Sequence, residues 1–116
     1  TSAGECLVRV GVPASQLTAW LKQIPTTAQT CIDCGAGLVY LRLPAQEGED
    51  WSAQLATVRT AARACQGYAI VLAAPAAAAT DAMDPWGHVP SALGVMQRLK
   101  ARLDPAGILN PQVFVV

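Results

Sequence analysis

The segment "ECLVRVGVP" at 5–13 restricts this chain more than any other stretch, because its side chains alternate without a break. Cys6, Val8, Val10 and Val12 fall on one side, and Glu5, Leu7, Arg9 and Gly11 on the other, which is the period of a half-buried strand. Such a strand needs neighbours along its edges and a second layer over its apolar side. Pro13 ends it. Ser15 is then placed to cap a helix in which Leu17, Trp20, Leu21 and Ile24 recur at i, i+3, i+4 and i+7, and Pro25 closes that helix.

Two further strand-like runs follow, "AQTCIDC" and "LVYLRLP", parted by Gly35-Ala36-Gly37. A short glycine-containing connection of this kind turns one strand back along another, so the spacing predicts a hairpin. Beyond the polar turn "AQEGED" at 45–50, a second helix from about Trp51 to Cys65 carries Leu55, Val58, Ala62 and Cys65 on one stripe. Gly67 is its expected left-handed stop. "YAIVLAA" at 68–74 reads as a fourth, mostly buried strand.

Strand, helix, strand, strand, helix, strand is the split βαβ order of ferredoxin-like folds. The expected class is α+β, with two helices on one face of a four-stranded antiparallel sheet. Everything from Pro75 onward is an addition: an alanine-rich loop, the turn "MDPWGHVP" at 83–90, a third helix from about Pro90 to Leu103, and a tail. Pro90 suits the first turn of that helix, whose Ala92, Met96, Leu99 and Leu103 share one apolar face. Arg98, Lys100 and Arg102 lie toward its negative end, where cations are favoured.

Composition narrows the function. The length, 116 residues, suits one domain able to bury a core. Lys plus Arg and Asp plus Glu number 8 each, and no basic stripe exists to neutralise a phosphate backbone, which argues against nucleic acid. No apolar run approaches the roughly 20 residues a membrane-spanning helix needs. The start at Thr1, without Met and directly ahead of strand-like sequence, leads us to expect a piece of a longer protein. The four cysteines are spread through strand and helix patterns and read as reduced thiols of a cytoplasmic protein. Cys31 and Cys34 have C-x-x-C spacing, but a zinc site needs a second ligand pair, and Cys6, Cys65 and His88 supply none at short spacing. Strand alternation turns Cys34 to the core and Cys31 to the opposite side, and no metal is expected.

The tail carries the identity. "PWGHVPSALGVMQRLKARLDPAGILNP" resembles the end of the FAD-linked oxidase C-terminal domain of vanillyl-alcohol-oxidase-like flavoproteins, and within them most resembles the flavin-binding subunit of bacterial glycolate oxidase. Lys100, Leu103, Asp104, Pro105, Gly107, Ile108, Leu109, Asn110 and Pro111 match that pattern, and Trp86-Gly87 followed by a proline points to the same branch. After Pro111 the chain departs from it, with Gln112 and Val113 where the pattern has Gly and a basic residue.

The resemblance implies a cap over the substrate side of a flavin, in an enzyme that passes hydride from a 2-hydroxy acid such as glycolate to FAD. The FAD would be held mainly by a separate N-terminal domain, because no glycine-rich phosphate-binding turn occurs here, and the cap alone would be inactive. The implied partners are that domain, other oxidase subunits and a small 2-hydroxy acid. The implied location is the cytoplasm, with any inner-membrane association passing through partner subunits. Asn110 is the candidate flavin contact, since its amide both donates and accepts and Pro111 stiffens it. His88, the single histidine of the chain, is the candidate proton acceptor. Arg42 and Tyr40, on the sheet face away from Val39, Leu41 and Leu43, are candidates for the substrate carboxylate. The alternative is a free-standing ferredoxin-like ligand-binding or interaction module without catalysis.

Overall fold

The computed structural model describes residues 4–24, 28–44, 51–75 and 83–111. Strands β1 (Glu5–Gly11), β2 (Gln29–Asp33), β3 (Leu38–Pro44) and β4 (Tyr68–Ala73) form one antiparallel sheet in the order β2-β3-β1-β4. Helices α1 (Leu17–Leu21), α2 (Trp51–Ala64) and α3 (Leu93–Leu103) complete it. This is the expected split βαβ arrangement. The expectations for Pro25, the turn at 45–50, the alanine-rich loop beyond Pro75, and Gln112 and Val113 fall outside the described residues.

The alternation in β1 does what its period requires. Cys6, Val8 and Val10 pair across the ladder with Leu43, Leu41 and Val39, so six apolar side chains meet on one face, and all six are buried. Trp20 from α1 and Leu55, Val58, Ala61 and Ala62 from α2 close over them. Full burial of each large member contributes roughly 1.5–3 kcal/mol, which makes this layer the main source of stability. Trp51 and Leu17 pack at its margin.

Three local expectations are corrected. Ser15 does not cap α1: Gln16 N–H donates to the Pro13 carbonyl at 2.8 Å, and a 3-10 turn over Ala14–Gln16 takes Ser15 into its interior. The helix proper is only five residues long. Gly67 is not the left-handed residue. Because α2 ends at Ala64, the reversal falls on Gln66, at φ 59°. Gly67 is required for a different reason, since a Cβ there would run into the Gly11 carbonyl oxygen and come within 2.6 Å of Val12 Cγ1. Finally, α3 begins at Leu93 and not at Pro90, whose carbonyl accepts from Leu93 N–H at 3.1 Å in a preceding turn.

The connection to α3 is clamped from α2. Arg59 Nη2 donates to the Asp84 carbonyl and Arg63 Nη2 to the Gly87 carbonyl, both at 2.6 Å, from positions one helical turn apart. Val71 N–H reaches the Pro85 carbonyl at 2.8 Å, tying the same segment to the outer edge of β4. Gly87 sits at φ 65° with the Arg59 guanidinium where a Cβ would be, so this glycine serves the clamp. Beyond it α3 buries no residue. Among the described residues no helix is long and apolar enough to cross a membrane.

Candidate functional site: the open sheet face and the tail turn

Strand register sorts the side chains opposite the helices onto an open face. Leu7 pairs with Arg42, Arg9 with Tyr40 and Gly11 with Leu38 across β1 and β3. Cys31 pairs with Tyr40 on β2, and Tyr68 and Ile70 pair with Gly11 and Arg9 on β4. Leu7, Gln29, Thr30, Cys31, Tyr40 and Arg42 line a basin of about 300 Å³ there. On the β4 side the Tyr68 ring lies across Gly11, where a Cβ would approach it to 2.6 Å. His88 stacks on Tyr68 with centroids 5.6 Å apart.

Arg42 and Tyr40 are therefore together on the open face, as their alternation implied. The Arg42 guanidinium is already engaged: Nη2 lies 2.5 Å from Glu5 Oε2, and Nη1 donates to Gln29 Oε1 at 3.0 Å. Asp33, the other acid of this face, accepts from the backbone N–H of Gly35 and Ala36 at 3.1 Å and so closes the hairpin turn. Arg9 is what sequence reasoning missed. It is half-buried, it has no hydrogen bond or ion pair among the described residues, and its Nε is shielded from solvent without an acceptor. The period of β1 placed Arg9 on this face, but nothing local could tell which of two arginines Glu5 would reach.

His88 is half-buried, and its Nδ1 lies 3.1 Å from the Trp86 carbonyl oxygen. Neither that bond nor its ring contact joins it to Tyr40, Arg42 or Asn110. Cys31 takes the open face as expected, whereas Cys34 is exposed in the hairpin turn and not turned to the core. β2 is an edge strand with every residue exposed, and Cys34 lies just past its end. No group of three or more His, Cys, Asp or Glu among the described residues could hold a metal ion.

The tail turn is closely bonded around one carboxylate. Asp104 is the C-cap of α3 and a buried carboxylate. Its Oδ2 accepts from Lys100 Nζ at 2.6 Å and from Leu109 N–H at 3.0 Å, while Oδ1 accepts from Ile108 N–H at 3.0 Å. Lys100 Nζ also donates to the Leu109 carbonyl. The Lys100 ammonium, then the backbone amides of Leu109 and Ile108, hold the Asp104 carboxyl below its ordinary pKa against the opposing effect of burial. Gly107, at φ 66°, makes the reversal this closure needs. Asn110 follows at φ 45°, exposed at the end of a turn fixed on three sides.

The side chain of Asn110, the candidate flavin contact, is exposed, and no ring or phosphate partner for it lies among the described residues. The glycines of the hairpin cannot cradle a pyrophosphate, since the Cβ position of Gly37 is 2.5 Å from the Val12 carbonyl oxygen and the turn is closed against β1. Compared with known proteins, the chain matches no family model, no curated protein and no solved structure.

Proposed function

We propose that this chain is the cap of an FAD-dependent 2-hydroxy-acid oxidoreductase of the glycolate-oxidase kind, set over the substrate side of a flavin held mainly by a separate body of protein. One observation carries the reading. Of the eight large apolar side chains exposed among the described residues, six lie between Val89 and Leu109: Val89, Val95, Leu99, Leu103, Ile108 and Leu109. A helix whose apolar stripe faces water needs a partner surface, and here that stripe ends beside the turn that carries the exposed Asn110. The resemblance over 83–111 supports a flavin-bearing domain as that partner and the flavin edge as the contact of Asn110.

In this reading the sheet's open face closes the substrate cavity, excludes water and orients the acid. His88, held by the Trp86 carbonyl and the Tyr68 ring, is the proton acceptor. FAD supplies the two-electron acceptor when bound. The rival reading, a ligand-binding module without catalysis, draws on the basin beside Tyr40 and Arg42.

Spectroscopy of the protein encoded by the intact reading frame separates the two. We expect a visible flavin band that glycolate or a related 2-hydroxy acid bleaches under anaerobic conditions, and slower bleaching in Asn110→Ala. An intact protein that carries no flavin would overturn the oxidase reading. Unchanged bleaching in Asn110→Ala would remove that residue's role.

A further inference from the structure

We infer that Arg9, and not Arg42, is the carboxylate-binding residue of the open sheet face. The inference rests on the proposed function only in expecting a small organic acid as the ligand. Its structural basis is the distribution of charge. The described residues of this face carry two cations, Arg9 and Arg42, and two acids, Glu5 and Asp33. Arg42 is paired with Glu5 at 2.5 Å and bonded to Gln29, so an incoming carboxylate would have to displace an existing partner. Asp33 is occupied by the hairpin amides. Arg9 alone is left without a counter-charge.

Its setting favours an anion over solvation by water alone. Arg9 lies between Tyr40 on β3 and Ile70 on β4, and Ile70 is only 5% exposed although it belongs to the face away from the helices. The neighbourhood is therefore partly desolvated, where an ion pair gains more than it does in open water. Arg59 provides the contrast within the same molecule: its Nε is also shielded, but its Nη2 donates to the Asp84 carbonyl. Arg9 has no such bond. With Nε shielded, the guanidinium has its two Nη groups left, whose end-on pair of N–H donors is planar and matches the two oxygens of a carboxylate. Tyr40, opposite Arg9 in the ladder, brings a phenolic hydroxyl to the same face.

Titration of the 116-residue chain with sodium acetate and sodium glycolate, against sodium chloride at equal ionic strength, tests this directly. The readout is the side-chain Nε–Hε nitrogen and proton resonances of the arginines. We expect saturable movement of the Arg9 resonance with both acids and not with chloride, at a dissociation constant on the order of millimolar. Arg9→Gln should weaken binding by at least about tenfold, the loss expected for one charged hydrogen-bonded contact. Arg42→Gln should leave it within about twofold, since that side chain is committed to Glu5. Arg9→Lys, which keeps the charge and loses the fork, should also weaken it. The wild-type resonance needs no variant to fold. Absence of saturable movement at Arg9, an equal response to chloride, or binding that survives Arg9→Gln would overturn the assignment. Flavin takes no part in the measurement, so carboxylate binding at Arg9 in a protein that proves to have no flavin would leave this site standing and remove the oxidase reading.

Discussion

Lys100 and Asp104, four residues apart across the end of α3, meet at 2.6 Å, and the same carboxylate takes the backbone N–H of Ile108 and Leu109. One helix terminus is thereby converted into the anchor of the turn that follows it. The stop signals Asp104-Pro105 and Gly107 were readable in the sequence. That Asp104 would be buried and triply bonded was not, because this depends on the chain reversing far enough to bring Leu109 back over the helix end.

The bonded carboxyl gives a pH dependence with a definite sign. Lys100 and the two amides lower the Asp104 pKa in the folded state, so its contribution to the turn is complete above the ordinary carboxylate value near 4 and is lost as pH falls through the lower, folded value. The Asp104 side-chain carbon and the Ile108 and Leu109 amide resonances should titrate together, below the range of an unbonded aspartate. In Lys100→Met the midpoint should move up toward that range. Independent midpoints for the carboxyl and the two amides would contradict the closure.

Thiol reactivity should divide the four cysteines evenly. Cys6 and Cys65 are buried, and burial raises the Cys6 thiol pKa despite the Arg59 charge, whereas Cys31 and Cys34 are exposed. A disulfide reagent should therefore label two thiols per native chain and four after denaturation. Fast labelling of Cys6 in the native protein would show that the sheet–helix layer opens.

Adjacent residues after α2 should respond with opposite signs. Gln66→Gly relieves a left-handed backbone position and should stabilise the fold by about 0.5–1 kcal/mol. Gly67→Ala, which drives a methyl into the Gly11 carbonyl and Val12, should cost about 1–3 kcal/mol. Urea denaturation midpoints of the two variants provide the comparison. A stable Gly67→Ala would mean that β1 and the end of α2 are less closely apposed.

Trp20 is the one fully buried side chain that α1 contributes, so Trp20→Ala should destabilise by about 3–5 kcal/mol. Circular dichroism should then show loss of a short helix ahead of the sheet, since a five-residue helix has little stability of its own.

These residues also mark how far local pattern carries. The faces of β1 and β3 were legible because period 2 leaves no choice once one side is apolar, and Val8, Val10, Val39, Leu41 and Leu43 all sit in the core. Cys34 was misplaced by the same rule, because alternation says which way a side chain points and not whether another layer lies there. Arg9 and Arg42 were equivalent in sequence. Only the β1–β3 register, which brings Glu5 beside Arg42, separates a neutralised arginine from an uncompensated one. Likewise, the acceptors of Arg59 and Arg63 lie 25 and 24 residues away in the 84–87 turn, which no local pattern brings beside α2.

The bare edge strand has a consequence for how the molecule is handled. Among the described residues β2 pairs through one side only, with β3, so half of the hydrogen-bonding groups along Gln29–Asp33 point away from the sheet, on a strand that carries Thr30, Cys31 and Ile32. Such an edge is a template for another chain's strand. Sheet-to-sheet extension through β2 is therefore the route by which this molecule would self-associate at high concentration, and a lysine at Thr30 or Ile32 is the place to block it.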